Sequence, residues 1–527
     1  MTQLDAAFVV LALTLAAALG VRRASAPAPV LLAIVGIIAG VAWHLIPGLP
    51  PLIVPPERVL FVFLPPLLAT AAYSLPLGAF RRDLLAIGML AVGLVLVTMA
   101  AAAVVAHEAA GLSWAAAFAL GAIVAPPDPV AASAVAERTG LAHRLVIILE
   151  GEGLVNDAIA IVAYAVALDA VMLGDFTWKG ALLETARAVP TGVLLGWVIG
   201  RGVAALRRRM DDVPIEVAIT LFVPYLTWLI AERTGASGVL AVVTLGIMLR
   251  RHEPATSSAA ARIAAHTVWG AVRFGSTALV FVLLGLLGGE VATAGFSWPL
   301  ARAGMYVTLA VIVIRLLWMH TVPHALRAIG LEEHFPVPTR RELTVLGWSG
   351  GRGVVSLALA LAVPALGLVD PGDSRRTIIF LTVAVIVGTL IVQGMTLLPL
   401  VRRLGVGDPE RESRDELRTR ARARRAALAT LDRLARTDRA AADYCGTLAA
   451  RIREGTLGIA SVGALGSRRD DERPLRAALD AQRRVVQEMR DAGHIGHNLA
   501  TRLETEIDAD ELALRGEFGR LTDVAGG

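Results

Sequence analysis

Long apolar runs separated by short polar loops fill the chain up to about residue 405. Because a bilayer core of roughly 30 Å is crossed by about 20 helical residues, we interpret the runs as thirteen transmembrane helices. The predicted spans lie at about 4–21, 28–47, 58–76, 84–106, 113–136, 144–172, 181–206, 213–231, 236–250, 266–289, 300–323, 341–366 and 374–401. The pattern therefore predicts an all-α, polytopic membrane region over 1–405 and a polar, helical tail over 408–527.

Basic residues are distributed unevenly between the predicted loops. Alternate loops, starting with the first, are rich in arginine: Arg22, Arg23, Arg81, Arg82, Arg138, Arg144, Arg201, Arg207, Arg208, Arg209, Arg250, Arg251, Arg262, Arg327, Arg340 and Arg341. The other loops carry fewer basic residues: Arg58, Lys179, Arg233, Arg302, Arg375 and Arg376. Since Lys and Arg concentrate in cytoplasmic loops, we predict a multi-pass protein of the cell inner membrane with its N-terminus outside and its tail in the cytoplasm.

Composition agrees with this division. Hydrophobic residues make up 56% of the 527 residues and charged residues 18%, whereas soluble domains carry about 25% charged residues. The single cysteine, Cys445, lies in the tail, which excludes an intrachain disulfide framework. No basic residue precedes the first apolar run and further spans follow it, so we interpret that run as a span and not as a cleaved signal.

Two predicted spans contain sequences that interrupt a helix. The fifth contains Pro-Pro-Asp-Pro at 126–129, and these prolines remove helical donors and clash with the preceding turn. The twelfth contains a glycine-rich segment, 347–353, that carries Arg352. Broken backbone at membrane depth persists where it is buried or lines a wet cavity. Two such helices in inverted halves are typical of a transporter site, and spans five and twelve cross in opposite directions. The alternative is a pair of kinks in an ordinary bundle.

A single acidic residue lies near the middle of the sixth predicted span. Asp157 has no basic neighbour along its own helix, and acids at this depth usually serve ion or proton pathways. Desolvation favours the protonated carboxyl, and a carboxylate that takes up either a proton or a cation, but not both, is the core of an exchanger. The alternative is that Asp157 braces the broken fifth helix. Beside it, the amide of Asn156 is suited to hold broken-helix backbone.

Arginines at membrane depth also need an explanation. Arg352 requires a partner, and Glu152 or Glu150 on the sixth span supplies one, although a buried ion pair is weak evidence for stability. Two further arginines within predicted spans, Arg273 and Arg315, either snorkel or pair elsewhere, and the sequence does not decide between these alternatives.

Four segments, in their order and spacing, resemble the first cation/proton antiporter family, the bacterial Na+/H+ exchangers of the NhaP and NHE type. They are Phe-Leu-Pro-Pro-Leu-Leu at 63–68, Pro-Pro-Asp-Pro-Val-Ala-Ala at 126–132, Glu-Gly-Glu-Gly-Leu-Val-Asn-Asp at 150–157, and Gly-Trp-Ser-Gly-Gly-Arg-Gly-Val-Val-Ser-Leu at 347–357. The resemblance covers about residues 5–405, and the motifs are specific in combination.

The resemblance implies a fold of 13 transmembrane helices with inverted repeats, two interrupted helices (spans 5 and 12), a homodimer, and a core domain that moves against a dimerisation domain. It implies a cation- and proton-binding site of Asp157, Asp128, Asn156 and Thr70, with Asp157 and Asp128 as the acidic ligands of Na+. An Asn in place of a second Asp at position 156 goes, in this family, with electroneutral one-for-one exchange.

The resemblance also implies that Glu152 and Arg352 form a core-stabilising ion pair. Two positions depart from the family pattern. Many members have a Ser where this chain has Gly153, and some have an acid where it has Thr70. Since Na+ is held by oxygen ligands, waters or carbonyls would complete the shell, which leaves the choice among Na+, K+ and Li+ open.

We therefore predict a secondary active antiporter, and no enzyme, that exchanges a monovalent cation (Na+, Li+ or K+) for H+ by alternating access at Asp157. It would serve sodium transport and pH homeostasis, with the transported Na+ and H+ in place of any cofactor. Alternatives are a K+/H+ antiporter, or a non-transporting sensor or channel on the same fold. An intramembrane aspartyl protease using Asp128 and Asp157 leaves thirteen spans unexplained, and no GxxxxGK[ST] loop for ATP-driven transport occurs.

The tail is predicted to contain two helical stretches, about 410–453 and 473–515. The first carries a basic cluster: Arg418, Arg420, Arg422, Arg424 and Arg425. This cluster either binds anionic lipid or belongs to a solvated helix that pairs with its twin in a dimer. Acidic residues are interleaved with the arginines and no stacking aromatics accompany them, which argues against a nucleic-acid partner.

Overall fold

The computed structural model describes residues 3–21, 28–46, 56–173, 178–210, 212–294, 297–328, 330, 338–363, 374–408, 410–454 and 473–515. Every regular element in these ranges is a helix. The helices are α1 (Gln3–Val21), α2 (Ala28–Leu45), α3 (Pro56–Ser74), α4 (Leu77–Arg82), α5 (Leu84–Ala110), α6 (Trp114–Val124), α7 (Val130–Thr139), α8 (His143–Leu173), α9 (Trp178–Arg207), α10 (Val213–Thr234), α11 (Gly238–Thr256), α12 (Ala259–Ala294), α13 (Trp298–Ala328), α14 (Arg340–Trp348), α15 (Val354–Leu361), α16 (Ser374–Leu404), α17 (Arg411–Thr437), α18 (Ala442–Glu454), α19 (Arg473–Asp491) and α20 (His497–Arg515).

Eight of the described helices are long and apolar enough to cross a membrane by length and composition: α2, α5, α8, α9, α10, α12, α13 and α16. Segments of α1 and α3, together with α6, are apolar but shorter. The structure therefore confirms an all-helical, multi-pass membrane protein. The count of thirteen stays a prediction, because α6, α7, α14 and α15 are each too short to cross alone.

Two apolar clusters divide the bundle into two groups of helices. The first cluster joins α1, α2, α3, α11 and α12 around side chains such as Leu64 and Phe281. The second joins α5, α6, α13 and α16 around side chains such as Leu120 and Val307. Helices α8 and α15 contribute to both clusters and so lie where the two groups meet.

Glycines allow α2 and α12 to pack backbone against backbone. A Cβ on Gly36 would lie 2.9 Å from the Cα of Gly285, and a Cβ on Gly40 would lie 2.9 Å from the Cα of Leu286. Spacing of small residues by four along both helices is the usual means of close helix association in membranes. This contact fixes one side of the first group.

The tail helices pack around their own apolar cluster, which includes Leu431, Leu448 and Leu503. Each of the two predicted tail stretches is divided in the structure. Helix α17 ends before Asp438, whose backbone is extended, and α19 is followed by Gly493 with φ +73°. A left-handed residue suits glycine and ends a helix. The described part of the tail therefore contains four helices, α17 to α20, where two stretches were predicted.

Candidate ion-binding site

The two predicted breaks lie against each other. Helix α6 ends at Val124 and α7 begins at Val130, while α14 ends at Trp348 and α15 begins at Val354. The backbone N–H of Asp128, in the first break, donates to the carbonyl oxygen of Gly351 in the second, at 2.7 Å. Prolines cause the first break and glycines the second. The hydrogen bond from Asp128 to Gly351 joins the two breaks.

Arg352 completes the end of α6. Its guanidinium is 1% exposed and donates through Nε to the carbonyl of Val124, at 2.9 Å, and through Nη2 to that of Ala125, at 3.2 Å. In an unbroken helix these carbonyls would accept from residues four positions later. Here the N–H of Asp128 points elsewhere and Pro129 has none. The positive guanidinium therefore satisfies the negative, C-terminal end of α6.

The Asp128 side chain, from the first break, contacts the second break in the corresponding way. Its carboxylate lies against Gly353, so that a Cβ on Gly353 would overlap the Asp128 side chain. Gly353 precedes α15 directly, and a helix N-terminus favours a negative charge. Each break thus supplies the charge that suits the helix end of the other.

Asn156 and Asp157 lie on α8 beside this crossing. The Asn156 side chain is 0% exposed, and its Nδ2 donates to the carbonyl of Pro127 at 3.3 Å. Its Oδ1 has no hydrogen-bond partner among the described residues. The side chain therefore holds broken-helix backbone while leaving one amide oxygen unused.

A cavity of about 850 Å³ brings three of the four predicted site residues together, and Asn156 is not among the residues that line it. Asp157, Asp128 and Thr70 all line it. The Oγ1 hydroxyl of Thr70 donates to the carbonyls of Pro66 and Leu67, each at 2.9 Å, which commits its proton and leaves its oxygen facing the cavity as an acceptor. Among the described residues, no group of three or more His, Cys, Asp or Glu side chains is placed to hold a metal ion. Further oxygens around a cation would come from hydroxyls, amides, carbonyls or water.

The structure also accounts for the glycine at position 153. A Cβ there would lie 2.7 Å from Cγ of Pro129 and 2.8 Å from its Cδ. These distances are shorter than side chains tolerate, so the proline ring of the first break occupies the space that a serine would need. A serine hydroxyl is therefore absent at position 153 because α8 approaches the first break so closely.

The predicted pairing of Glu152 with Arg352 is wrong. Glu152 pairs with Arg315 of α13, whose Nη2 donates to Oε2 at 2.8 Å while Nη1 donates to Oε1. Both side chains are 1% exposed, and the Nε of Arg315 donates to the carbonyl of Leu346 at 3.3 Å. The physical reason is that the bare carbonyls of α6 take the Arg352 guanidinium, which leaves the bidentate carboxylate for the other arginine.

Arg315 is one of two arginines near the site whose roles the sequence left undecided. Its one sequence signal is a lone charge inside an otherwise apolar run of α13. Arg273, the other undecided arginine, lines the same cavity as Asp157. The sequence identified both residues as unusual but could not assign their partners.

Comparison with known proteins identifies the family of the chain. The family profile described as "Sodium/hydrogen exchanger, transmembrane" matches residues 9–403. The Na(+)/H(+) antiporter ApNhaP of Aphanothece halophytica is 32% identical over 387 residues, which cover 72% of this chain and 71% of that protein. The Uncharacterized Na(+)/H(+) exchanger Mb2309 of Mycobacterium bovis is 31% identical over 533 aligned positions, which cover 96% of this chain and 95% of that protein.

Among solved structures, the sodium proton antiporter MjNhaP1 from Methanocaldococcus jannaschii at pH 8 matches with a TM-score of 0.61. The match covers 77% of this chain and 99% of that one at 20% identity, and it shows the fold alone. The family profile and the sequence relatives, and not the fold alone, define a membrane transporter of the secondary type. The chain belongs to the sodium/hydrogen exchanger family, as the four sequence motifs predicted.

Proposed function

We propose that this protein exchanges a monovalent cation, Na+ in the first instance, for H+ across the cell inner membrane by alternating access at Asp157. The observation that carries the proposal is the placement of the Asp157 and Asp128 carboxylates on one cavity beside two crossed helix breaks. Li+ and K+ are the competing cations. The transported ions are substrates, and the proposal needs no cofactor.

The exchange follows from competition for one carboxylate. A proton on Asp157 removes the negative charge that a cation needs, and a bound cation displaces the proton, so the two occupy the site in turn. Asn156, as a neutral neighbour, adds no second titrating group, which supports electroneutral one-for-one exchange. Thr70 and Asp128 would supply further oxygens, and Asn156 would keep the first break in register with α8.

Alternating access needs a part that moves. We propose thirteen spans in inverted repeats, with span 5 formed by α6 and α7 and span 12 formed by α14 and α15. The second apolar cluster, with α8 and α15, would move as the core domain against the first cluster, which would also hold the interface of a homodimer. The division at the two clusters supports this assignment.

The arginine distribution supports the orientation. We propose that residues 1–405 form the transmembrane domain, with the N-terminus outside, and that 408–527 form a cytoplasmic tail. The bundle residues that contact the tail, which include Arg82, Arg250 and Arg262, come from the arginine-rich loops. Such loops are expected on the cytoplasmic side.

The test is proton flux in proteoliposomes that contain a pH-sensitive dye, with Na+, Li+ and K+ added in turn. We expect Na+ to release trapped protons from the lumen in the intact protein. Clamping the membrane potential with valinomycin and equal K+ on both sides should leave the rate unchanged if exchange is electroneutral. Folded protein that responds to none of the three cations would contradict the proposal and favour a sensor. Conduction without a proton gradient would favour a channel.

A further inference from the structure

Ser356 carries a buried hydroxyl without a hydrogen-bond partner among the described residues, beside the cavity. It lies on α15 three residues after Gly353, so both residues occupy one face of the helix, and Gly353 contacts the Asp128 carboxylate. The Ser356 side chain is 1% exposed, lines the cavity with Asp157, and has no hydrogen-bond partner for Oγ among the described residues. Buried hydroxyls normally have a partner, and one without a partner requires an explanation.

We propose that Ser356 is a cation ligand contributed by the second interrupted helix, in place of the serine that Pro129 excludes from position 153. The inference rests on the proposed function. A hard monovalent cation between α8 and α15 would use the Ser356 Oγ and the free Asn156 Oδ1 as neutral oxygens beside the carboxylates, as hard cations prefer. Both orphan oxygens lie on the helices where the two groups of the bundle meet.

The test compares Ser356→Ala with Ser356→Thr, which keeps the hydroxyl. We expect Ser356→Ala to raise the KM for Na+ about tenfold with little change in maximal rate, as loss of a binding contact does, and Ser356→Thr to stay near the unmodified protein. Ser74→Ala, a hydroxyl on the same cavity that donates to Ala71, is the matched control. Equal KM in the alanine and unmodified proteins would overturn the proposal.

Cation-induced thermal stabilisation in detergent separates this proposal from the proposed function. If the unmodified protein is stabilised by Na+ but moves no protons, the proposed function fails, and loss of stabilisation in Ser356→Ala alone still supports the ligand. If Ser356→Ala and Ser356→Thr both lose folded protein, the role is one of packing, and the ligand assignment is wrong.

A different observation concerns the tail, which forms part of the wall of the same cavity. Where the α7–α8 connection borders the cavity, Arg411 and Glu412 at the start of α17 and residues 496–499 around the start of α20 also line it. The N–H of Asp408 donates to the carbonyl of Gly140 at 3.1 Å, and the ring of His143 lies 3.1 Å from Asp415. The start of the tail is thus held at the rim of the cavity by contacts with the α7–α8 connection and with the start of α8.

Two arginines of the bundle form ion pairs with α20. Arg250 of α11 donates through Nη2 to both carboxylate oxygens of Glu504, at 3.0 and 3.2 Å. Arg262 of α12 makes a two-pronged contact with Asp508, at 2.9 and 2.6 Å. All four side chains are largely removed from solvent, so docking places α20 firmly beside the α11–α12 connection.

We propose that the docked tail caps the cavity and slows exchange, and that its release speeds exchange. This second inference also rests on the proposed function. Cations entering from the tail side would have to pass the start of α17 and the start of α20, which complete the wall. Because ion pairs between arginine-rich loops and an acidic helix hold the tail, reversing one of these charges should release it.

The test uses the full chain with Arg262→Glu, alone and combined with Arg250→Glu. We expect hydrogen exchange in α20 to rise and the cation-driven proton flux to increase at least threefold. The matched control is Arg420→Glu, which breaks a pair with Glu506 inside the tail and should change neither quantity at the cavity. If hydrogen exchange shows that the tail is released while the flux is unchanged or reduced, the proposed capping role is wrong.

Hydrogen exchange reports docking whether or not the protein transports. If the unmodified protein shows no flux while the double variant does, the docked tail blocks exchange completely, which supports the capping role. If neither shows flux and Asp157→Asn behaves the same, the proposed function has failed, and a capping role fails with it. Docking that persists in the double variant would overturn the assignment of these ion pairs as the anchor.

Discussion

Glu152 and Arg315 inside the bundle are each 1% exposed and meet in one bidentate contact. At the contact between bundle and tail, Asp508 is instead shared by Arg262 and Arg483, and Glu504 by Arg250 and Arg490. Removing one partner of a dry pair leaves a buried charge unpaired, whereas a shared carboxylate keeps a second arginine. Glu152 and Arg315 therefore depend on each other alone, whereas the tail contact distributes its charges over a network.

The largest effect is expected from Asp157→Asn. A neutral amide of the same shape can bind neither the proton nor the cation in exchange, so we expect flux to fall to the level of empty liposomes, about 100-fold or more, with melting in detergent unchanged within a few degrees. Asp169→Asn, an exposed acid on the same helix, is the control and should retain flux. Residual cation-dependent flux in Asp157→Asn would move the exchange site elsewhere.

Breaking the pair inside the bundle tests the first half of the comparison. Glu152→Ala or Arg315→Ala alone should lower the free energy of unfolding by about 3–5 kcal/mol, because each leaves its buried partner uncompensated. We expect the double variant to recover much of the folded yield, measured by size-exclusion chromatography and melting in detergent. The double variant of Glu152→Ala with Arg352→Ala should not recover, since Arg352 binds carbonyls instead. If this second double variant recovered the folded yield, the pairing of Glu152 with Arg352 predicted from the sequence would be correct after all.

Gly353→Ala tests the crossing of the two breaks. The added methyl group overlaps the Asp128 carboxylate, so we expect at least a tenfold loss of flux with smaller loss of folded protein. Gly351→Ala is the matched control, because a Cβ at Gly351 meets nothing within 4 Å. Equal flux in the two variants would mean that the Asp128 carboxylate does not need its place on the end of α15.

The smallest effect concerns acid and the tail. Burial, together with the charges of Arg250, His266 and Arg273, lowers the pKa of His497 to about 3 in the docked tail. Because the free residue has a pKa of about 6.5, docking is strongest above that value and weakens as pH falls through it. The loss is at most about tenfold per pH unit.

The measurement for His497 is hydrogen exchange in α20 between pH 7.5 and 5.5. We expect protection to fall less steeply in His497→Gln than in the unmodified protein, because the variant has no proton to gain. Identical slopes in the two proteins would show that His497 does not control the pH dependence. The effect is small because the ion pairs of α20 oppose release over the same range.

The breaks and the acid were predictable because their causes are local. Prolines at 126, 127 and 129 end α6 wherever that helix lies, and glycines around Arg352 separate α14 from α15. The tail shows the limit of such patterns: its described residues form four helices where two stretches were predicted. The pattern does not specify the extended backbone at Asp438 or the left-handed backbone at Gly493.

The sequence by itself determined an all-helical membrane protein of the sodium/hydrogen exchanger family, with broken helices facing an intramembrane acid. Only the tertiary structure decided which arginine meets Glu152, that Pro129 fills the space beside Gly153, and that the tail borders the cavity. The physical reason is distance along the chain. Hydrophobic runs and prolines act within a few residues, whereas Glu152 and Arg315 are 163 positions apart and meet only because two helix groups pack around α8.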